Sequence, residues 1–279
     1  MASFFSCQLA NRGVVRLGGE DRRTFLQGLI SNDIELATPE RAIYAALLTP
    51  QGKFLHDLFI IDKDDDFLID CEATRAGDLL KRLGAYKLRA KVTLADAREE
   101  YEVWAARDQD SGFGIQGIFV DPRLPKLGMR AIRRKKDSPN PESRILNAYD
   151  RHRLTLGVAD GSRDMLIEKS TLAEGNFDLL NGISWTKGCY VGQELTARMH
   201  YRGLAKKRLF PVKIEGAAPA CGTVVKFGDE DIGDMRSSCG DLGLALLNVE
   251  KAEVAVRDNV ALVCGGSGLK VSRPGWMKD

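Results

Sequence analysis

The segment of residues 185–198, WTKGCYVGQELTAR, has residue types and a spacing that suit thiol chemistry. Cys189 stands between Gly188 and Gly192, and glycines let the backbone bend closely around a bound group because they carry no Cβ. Residues 193–199 predict the start of a helix, whose N–H dipoles would point toward the sulfur. A thiolate in such a setting attacks electrophiles or ligates a metal.

Three basic residues near this cysteine in sequence support the same interpretation. Lys187, Arg198 and Arg202 would add positive charge and stabilise the thiolate form of Cys189. The competing interpretation is a buried, inert cysteine, which is common in globular proteins. From the residues alone, both interpretations of Cys189 stay open.

The other five cysteines lie far apart and form no C-x-x-C pair, so the commonest zinc and dithiol signatures are missing. We expect reduced thiols that pack as small hydrophobes in or near the core. They are Cys7, Cys71, Cys221, Cys239 and Cys264.

No P-loop and no G-x-S-x-G elbow occurs, which argues against an autonomous ATPase or a serine hydrolase. Residues 112–117 match G-x-G-x-x-G but lead into a strand-like run, whereas a dinucleotide site needs a helix there.

Composition predicts a globular protein with no large polyanionic partner. The 279 residues are 44% hydrophobic and 29% charged, enough for two or three domains with proper cores. The net charge of +2 argues against nucleic acid as a partner. No apolar run reaches the length of a membrane span, so no membrane association is expected. The N-terminal residues resemble neither a signal peptide nor an Arg-rich transit peptide, which predicts a cytoplasmic location.

The hydrophobic periodicity indicates the elements that position these residues. Residues 14–17 read as a strand, and Asp21 then caps a helix. Residues 44–106 read as β-β-α-β-β, an antiparallel α+β unit with its helix on one face. From Lys206 onward, short apolar runs broken by glycine predict a small all-β barrel. Its strands are expected at 209–214, 223–227, 242–248, 253–256 and 260–263.

Several motifs in this chain resemble one known family. KGCYVGQE at residues 187–194 is similar to the signature K-G-C-[FY]-x-G-Q-E of the YgfZ family, and its basic A-R…Y-R-G…K-R tail follows. Three further segments resemble family motifs in the same order along the chain: FLQGLISND at 25–33, LTPQGK at 48–53 and EGNFD at 174–178. The chain is thus identified as resembling the folate-binding YgfZ proteins, which are related to the T-protein of glycine cleavage, an aminomethyltransferase.

The resemblance implies an α+β, three-domain T-protein-like fold around a central folate cavity. A discontinuous folate-binding domain would comprise residues 1–43 and 137–205 and carry the KGCYVGQE motif. A ferredoxin-like middle domain would span residues 44–136, and a C-terminal β-barrel would span residues 206–279.

The resemblance also implies the roles of individual residues. Tetrahydrofolate is the expected cofactor, with Glu174 on the paired N–H donors of the pterin ring and Cys189 at the mouth of the cavity. The remaining folate-binding candidates are Asp57, Lys187, Tyr190, Arg198 and Arg202. One cysteine cannot hold an iron–sulfur cluster, since four protein ligands are the rule. Cys189 would therefore supply one metal ligand to a transient shared cluster, or act as a redox thiol. The expected partner is an A-type iron–sulfur carrier or a client iron–sulfur enzyme.

The function implied is that of an accessory factor in iron–sulfur cluster assembly or repair, which supports [4Fe–4S] proteins and tRNA-thiolation enzymes. The alternative is a folate-dependent aminomethyl or methyl transferase with Asp57 as its acid/base group. T-proteins carry an acidic pair where this chain reads His56-Asp57, and they lack a cysteine at the place of Cys189, so both departures favour the assembly factor. A third alternative is a folate-binding module whose cysteine is structural. Whether any reaction turns over is left open.

Overall fold

The computed structural model describes residues 6–107, 117–137, 146–203 and 205–277. Residues 112–116 of the glycine-rich G-x-G-x-x-G match lie outside this part of the chain. The strands are β1 (Ser6–Gln8), β2 (Arg12–Gly18), β3 (Ile43–Leu48), β4 (Phe54–Lys63), β5 (Asp66–Glu72), β6 (Thr93–Asp96), β7 (Tyr101–Ala106), β8 (Ile118–Val120), β9 (Met129–Arg134), β10 (Lys207–Glu215), β11 (Val224–Phe227), β12 (Glu230–Cys239), β13 (Leu242–Asn248), β14 (Leu262–Cys264) and β15 (Ser267–Val271). The helices are α1 (Arg22–Gln27), α2 (Ala76–Lys87), α3 (Leu146–Thr155), α4 (Gln193–Tyr201) and α5 (Val249–Arg257).

The chain divides into two compact units. The first comprises residues 1–149 and 180–193, and the second comprises residues 150–179 and 194–279. The three-domain boundaries implied by the resemblance stay a prediction. No helix of the described residues is both long and apolar enough to cross a membrane.

A five-stranded antiparallel sheet organises the first unit, with the order β3-β4-β5-β2-β6. Strand β2 pairs with β5 from Arg12 opposite Glu72 to Leu17 opposite Phe67. This N-terminal strand is expected outside the β-β-α-β-β unit, whereas the structure places it between two of that unit's strands, β5 and β6. Local periodicity does not reveal this, because the pairing joins residues far apart in sequence. One face of the sheet is covered by α1 and α2, whose Leu26 and Leu79 are fully buried.

A second sheet, in the order β1-β7-β9-β8, completes the first unit. Apolar side chains of both sheets share one core cluster, in which Val14 and Leu68 join Val103 and Ile132. Burial of such side chains contributes about 25 cal/mol for each Å² of apolar surface removed from water.

A buried network of charges accompanies this apolar core. Arg12 donates from Nη1 to Asp57 Oδ1 at 2.8 Å and from Nε to Asp70 Oδ1 at 2.7 Å. Arg130 donates from Nε to Asp70 Oδ2 at 2.7 Å, and its guanidinium lies 3.8 Å from the centroid of the Phe59 ring. Each charge is therefore met by an opposite one, as buried charges require.

The second unit carries the predicted barrel, which closes in the order β10-β13-β12-β11-β14-β15. The predicted strand at 253–256 is wrong, because these residues lie within α5. Asn248 caps this helix by accepting a hydrogen bond from Lys251 N at 3.1 Å. An Asn N-cap favours a helix over the strand that the local alternation indicates. Strand β12 escaped prediction since its polar residues hide the apolar alternation.

Candidate functional site

The KGCYVGQE segment is anchored to the C-terminal end of α1 in the first unit. Ser184 N donates to Ser31 O at 3.0 Å, and Val191 N donates to Gly28 O at 3.1 Å. Ser31 in turn donates from Oγ to Gly182 O at 2.6 Å. We call residues 181–192 the signature loop. Its attachment explains why the 25–33 motif and the 187–194 motif occur together, because each supplies backbone partners to the other.

Lys187 is the main anchor of this loop. Its buried Nζ donates to the carbonyls of Gln27, Ile30 and Asn32 at 2.7, 2.8 and 2.8 Å. Burial lowers the pKa of Lys187 to about 8, so near neutral pH the ammonium retains the three N–H groups that these carbonyls need. All three donors are engaged with the backbone at the end of α1. The contacts of Lys187 are thus structural, and they leave none of its N–H groups to donate to folate.

Gly192 is required by the close approach of the loop to the β3–β4 hairpin. Its φ is +84°, and a Cβ there would lie 2.6 Å from Thr49 O and 2.8 Å from Leu48 Cβ. Only glycine fits both the backbone angle and the space. The third family motif, LTPQGK at 48–53, therefore meets the signature loop at this point.

Cys189 lies exposed on this anchored loop, as the interpretation of a functional thiol expects. A Cβ built on the neighbouring Gly188 would have nothing within 4 Å, so the space beside the cysteine is open. Helix α4 begins at Gln193, four residues later, where the sequence placed its start. The geometry suits a thiol that must be reached by a bulky partner.

The other cysteines differ in how far they follow the expectation of small core hydrophobes. Cys7, Cys71 and Cys264 are buried, and burial raises the pKa of Cys71 to about 12. Cys239 is half-buried. The expectation is wrong for Cys221, which is exposed because it lies in a loop before β11.

The other candidates of the first unit pack inward. Tyr190 is buried, with its ring centroid 5.1 Å from Lys187 Nζ, a cation–π distance. Asp57 is 1% exposed, and both of its carboxylate oxygens accept hydrogen bonds from Arg12 Nη1. A carboxylate held by a buried guanidinium is a poor general base. This arrangement weighs against the transferase alternative that relied on Asp57.

His56 stands beside Asp57 in β4 and is fully buried. Burial, together with the positive charge of Arg75, lowers its pKa to about 4, and Asp78 opposes this shift. The imidazole is therefore neutral near pH 7, and Nε2–H donates to Asp78 Oδ2 at 2.9 Å. His56 does not replace the missing acidic residue with a charge.

We expect the buried His56 to make stability depend on pH. The unfolded chain binds its proton near pH 6.5 and the folded chain near pH 4. The contribution of neutral His56 is thus fully present above about pH 6.5 and is lost as pH falls toward 4. Between pH 7.5 and 4.5, the unfolding free energy of the wild type should fall by about 2–3 kcal/mol more than that of His56→Gln. Urea titrations of both proteins measure this, and parallel pH curves would contradict it.

The second unit carries the remaining three candidates. Glu174 is half-buried, and its Oε2 accepts a hydrogen bond from Thr171 N at 2.7 Å. Arg198 is exposed and forms an ion pair with Glu194, one turn earlier in α4. Arg202 is also exposed. Glu174 keeps a second carboxylate oxygen, Oε1, available to a ligand.

Two family motifs meet within the second unit as well. Arg208, in the basic tail, pairs with Asp178 of the EGNFD segment at 2.7 Å. Asn176 adopts φ +60° and donates from Nδ2 to Leu209 O at 2.9 Å. These contacts fix the loop that carries Glu174 against the start of β10. Among the described residues, no group of three or more Cys, His, Asp or Glu side chains could hold a metal ion.

Comparison with known proteins decides the family. The human iron–sulfur cluster assembly factor IBA57 is 34% identical over 282 residues, which cover 90% of this chain and 79% of the human protein. The mouse IBA57 is 35% identical, covering 87% of this chain and 77% of its own length. The chain belongs to the IBA57 family of iron–sulfur cluster assembly factors. Residues 206–279 also match the family model of the CAF17 C-terminal β-barrel domain.

The fold class predicted from the sequence is confirmed by a solved structure. The glycine cleavage system aminomethyltransferase T from Bartonella henselae superposes with a TM-score of 0.73 at 13% identity, covering 99% of this chain and 87% of that protein. At this identity the likeness concerns the fold alone. The IBA57 relatives are mitochondrial proteins, so the expectation of a cytoplasmic location is wrong.

Sequence reasoning missed Arg12, which donates hydrogen bonds to the Asp57 carboxylate. It also missed the backbone carbonyls that accept hydrogen bonds from Lys187. Neither contact has a local signal, because the partners lie 45 and more than 150 residues apart. The 25–33 motif did mark the segment that binds Lys187, although it did not say which atoms are used.

Proposed function

We propose that this IBA57-family protein assists iron–sulfur cluster assembly by presenting Cys189 to a cluster that it shares with a partner protein. The observation that carries the proposal is an exposed thiol on a loop anchored by Lys187 and Gly192. A thiol held on an anchored loop is pre-organised to become a ligand with little loss of entropy on binding. The motifs resemble YgfZ proteins, and the human and mouse relatives are iron–sulfur cluster assembly factors.

The cluster is cargo in this proposal and the partner supplies most of its ligands. Iron–sulfur clusters need about four thiolate ligands, so one cysteine can contribute only a single bond. An A-type carrier or a client enzyme would provide the others. Proteins with [4Fe–4S] clusters and tRNA-thiolation enzymes are the clients we infer.

Anaerobic cluster reconstitution tests the proposal. The chain alone, an A-type carrier alone and their mixture would be incubated with ferrous iron and sulfide, then separated from free ions by gel filtration. We expect a complex whose visible absorbance and iron content exceed those of the carrier alone. A mixture that elutes as two separate proteins, with the cluster on the carrier only, would overturn the proposal.

We also propose that the protein binds tetrahydrofolate, with Glu174 on the pterin ring. A half-buried carboxylate with one free oxygen suits the paired N–H donors of that ring. The exposed guanidinium groups of Arg198 and Arg202 suit the anionic glutamate tail of the folate.

Calorimetry with tetrahydrofolate measures this binding. We expect saturable binding by the wild type and a Kd at least about tenfold higher in Glu174→Ala, the loss of roughly one charged hydrogen bond. Glu215→Ala, which removes an exposed carboxylate of the same unit, is the matched control. Equal affinity in wild type and Glu174→Ala would remove Glu174 from the folate site.

A further inference from the structure

An exposed leucine follows the end of α2 in the first unit. Leu88 is 90% exposed, and its φ of +41° with ψ of −107° is a backbone conformation that bulky side chains rarely adopt. Such strain persists only where the surroundings impose it, and it clusters at functional positions. We call residues 86–91, YKLRAK, the basic tip.

Hydrogen bonds hold the basic tip from both sides. Ala90 N donates to Lys87 O at 2.7 Å, which closes the turn around Leu88. Lys91 N donates to Asp21 Oδ2 at 2.7 Å, which ties the tip to the start of α1. Leu88 therefore projects from a fixed turn, although its side chain gains no apolar burial in return.

Positive charges flank the projecting leucine in the sequence. Lys87 and Arg89, on either side of Leu88 in the chain, are exposed and form no ion pair within the described part of the protein. Lys91 is exposed too and pairs with Glu20 at 2.9 Å. An apolar side chain flanked in sequence by two unpaired cations complements an apolar pocket bordered by acidic residues.

The basic tip and the signature loop lie at opposite ends of one short helix. The tip binds Asp21 at the N-terminal end of α1, and the signature loop binds Gly28 at the other end. The six residues of α1 span about 9 Å. A protein contact of ordinary size, about 800 Å² on each partner, can therefore cover both features.

We propose that the basic tip is the docking contact for an acidic iron–sulfur carrier protein, with Leu88 entering an apolar pocket on that carrier. This inference rests on the proposed function, in which the same carrier shares a cluster at Cys189. A lipid surface fits less well, because a fluid bilayer requires no side chain held in one fixed and strained direction. A small apolar anchor flanked by charges suits a transient complex that must release its cargo.

Binding of a purified A-type carrier, measured by calorimetry, tests the inference. Leu88→Gly removes the side chain and relieves the positive φ, so its melting temperature should equal or exceed that of the wild type. We expect its Kd for the carrier to rise at least about tenfold, as for an interface hot spot. Leu88→Met keeps an apolar anchor and should bind within about threefold of the wild type.

Charge reversal provides the second arm. Lys87→Glu with Arg89→Glu should weaken binding at low salt and flatten its dependence on salt. The matched control is Lys213→Glu with Lys270→Glu, two exposed lysines that face each other on the barrel. This control changes the net charge equally and should leave the Kd within about twofold of the wild type, because neither lysine belongs to the basic tip.

The outcomes separate this inference from the proposed function. Carrier binding that is unchanged in both Leu88→Gly and the tip charge reversal overturns the docking contact, while a cluster lost in Cys189→Ser would still support the function. Weakened docking in Leu88→Gly together with an intact shared cluster in Cys189→Ser would support the docking contact and contradict the role proposed for Cys189. No binding of the carrier by the wild type overturns both. If binding to phosphatidylglycerol vesicles depends on Leu88 while the affinity for the carrier is unchanged, the basic tip binds a membrane surface and the carrier contact is overturned.

Discussion

Replacing Asp70 with alanine is expected to lower the free energy of unfolding by about 3–5 kcal/mol, the cost of breaking a buried ion pair. Asp70 is 0% exposed and accepts hydrogen bonds from Arg12 and Arg130, each at 2.7 Å. Its removal leaves two buried guanidinium groups without their shared carboxylate. The cost is that of uncompensated buried charge, which exceeds the net value of the intact network.

A matched control is available on the surface. Asp96 pairs with Arg98 at 2.6 Å, and both side chains are about two-fifths exposed. Asp96→Ala should therefore cost about 0–1 kcal/mol, since solvent screens an exposed pair. Urea denaturation of the three proteins measures both effects. A loss below about 1 kcal/mol for Asp70→Ala would mean that water or another group replaces the carboxylate.

Buried charge networks of this kind could not be predicted from the sequence, whereas the motifs around the site could. The motifs at 25–33, 48–53 and 187–194 were recognised as related, and the structure brings all three together around Lys187 and Gly192. Cys189 is exposed, which fits the functional one of the two interpretations that the sequence left open. The partner of Asp57 does not appear in any local pattern, because Arg12 lies 45 residues away in a neighbouring part of the sheet.

The same limit applies to the secondary structure. Residues 253–256 alternate as a strand would, yet they form part of α5 because Asn248 caps that helix and Ala252 and Ala255 turn inward. The sequence indicates that β2 is a strand, but only the folded sheet shows that β2 pairs with β5 and β6. Periodicity thus indicates elements well and their partners poorly, since partners depend on contacts between distant residues.

The largest functional effect is expected from Cys189→Ser. Serine preserves the size of the side chain and the exposed loop, so folding and docking should be unchanged. It removes the thiolate, which is the form that ligates iron. In the reconstitution with an A-type carrier, the cluster shared with this chain should therefore be lost, and iron content should fall to that of the carrier alone.

Cys221→Ser is the matched control for this variant. Cys221 is also exposed, but it lies in the second unit and belongs to no family motif. Its replacement should leave the shared cluster and the activity of client [4Fe–4S] enzymes at wild-type levels in cells that lack the native protein. Full activity with Cys189→Ser would make that cysteine structural. Equal loss in both variants would indicate general thiol damage, because only Cys189 stands on a loop that Lys187 anchors through three carbonyls.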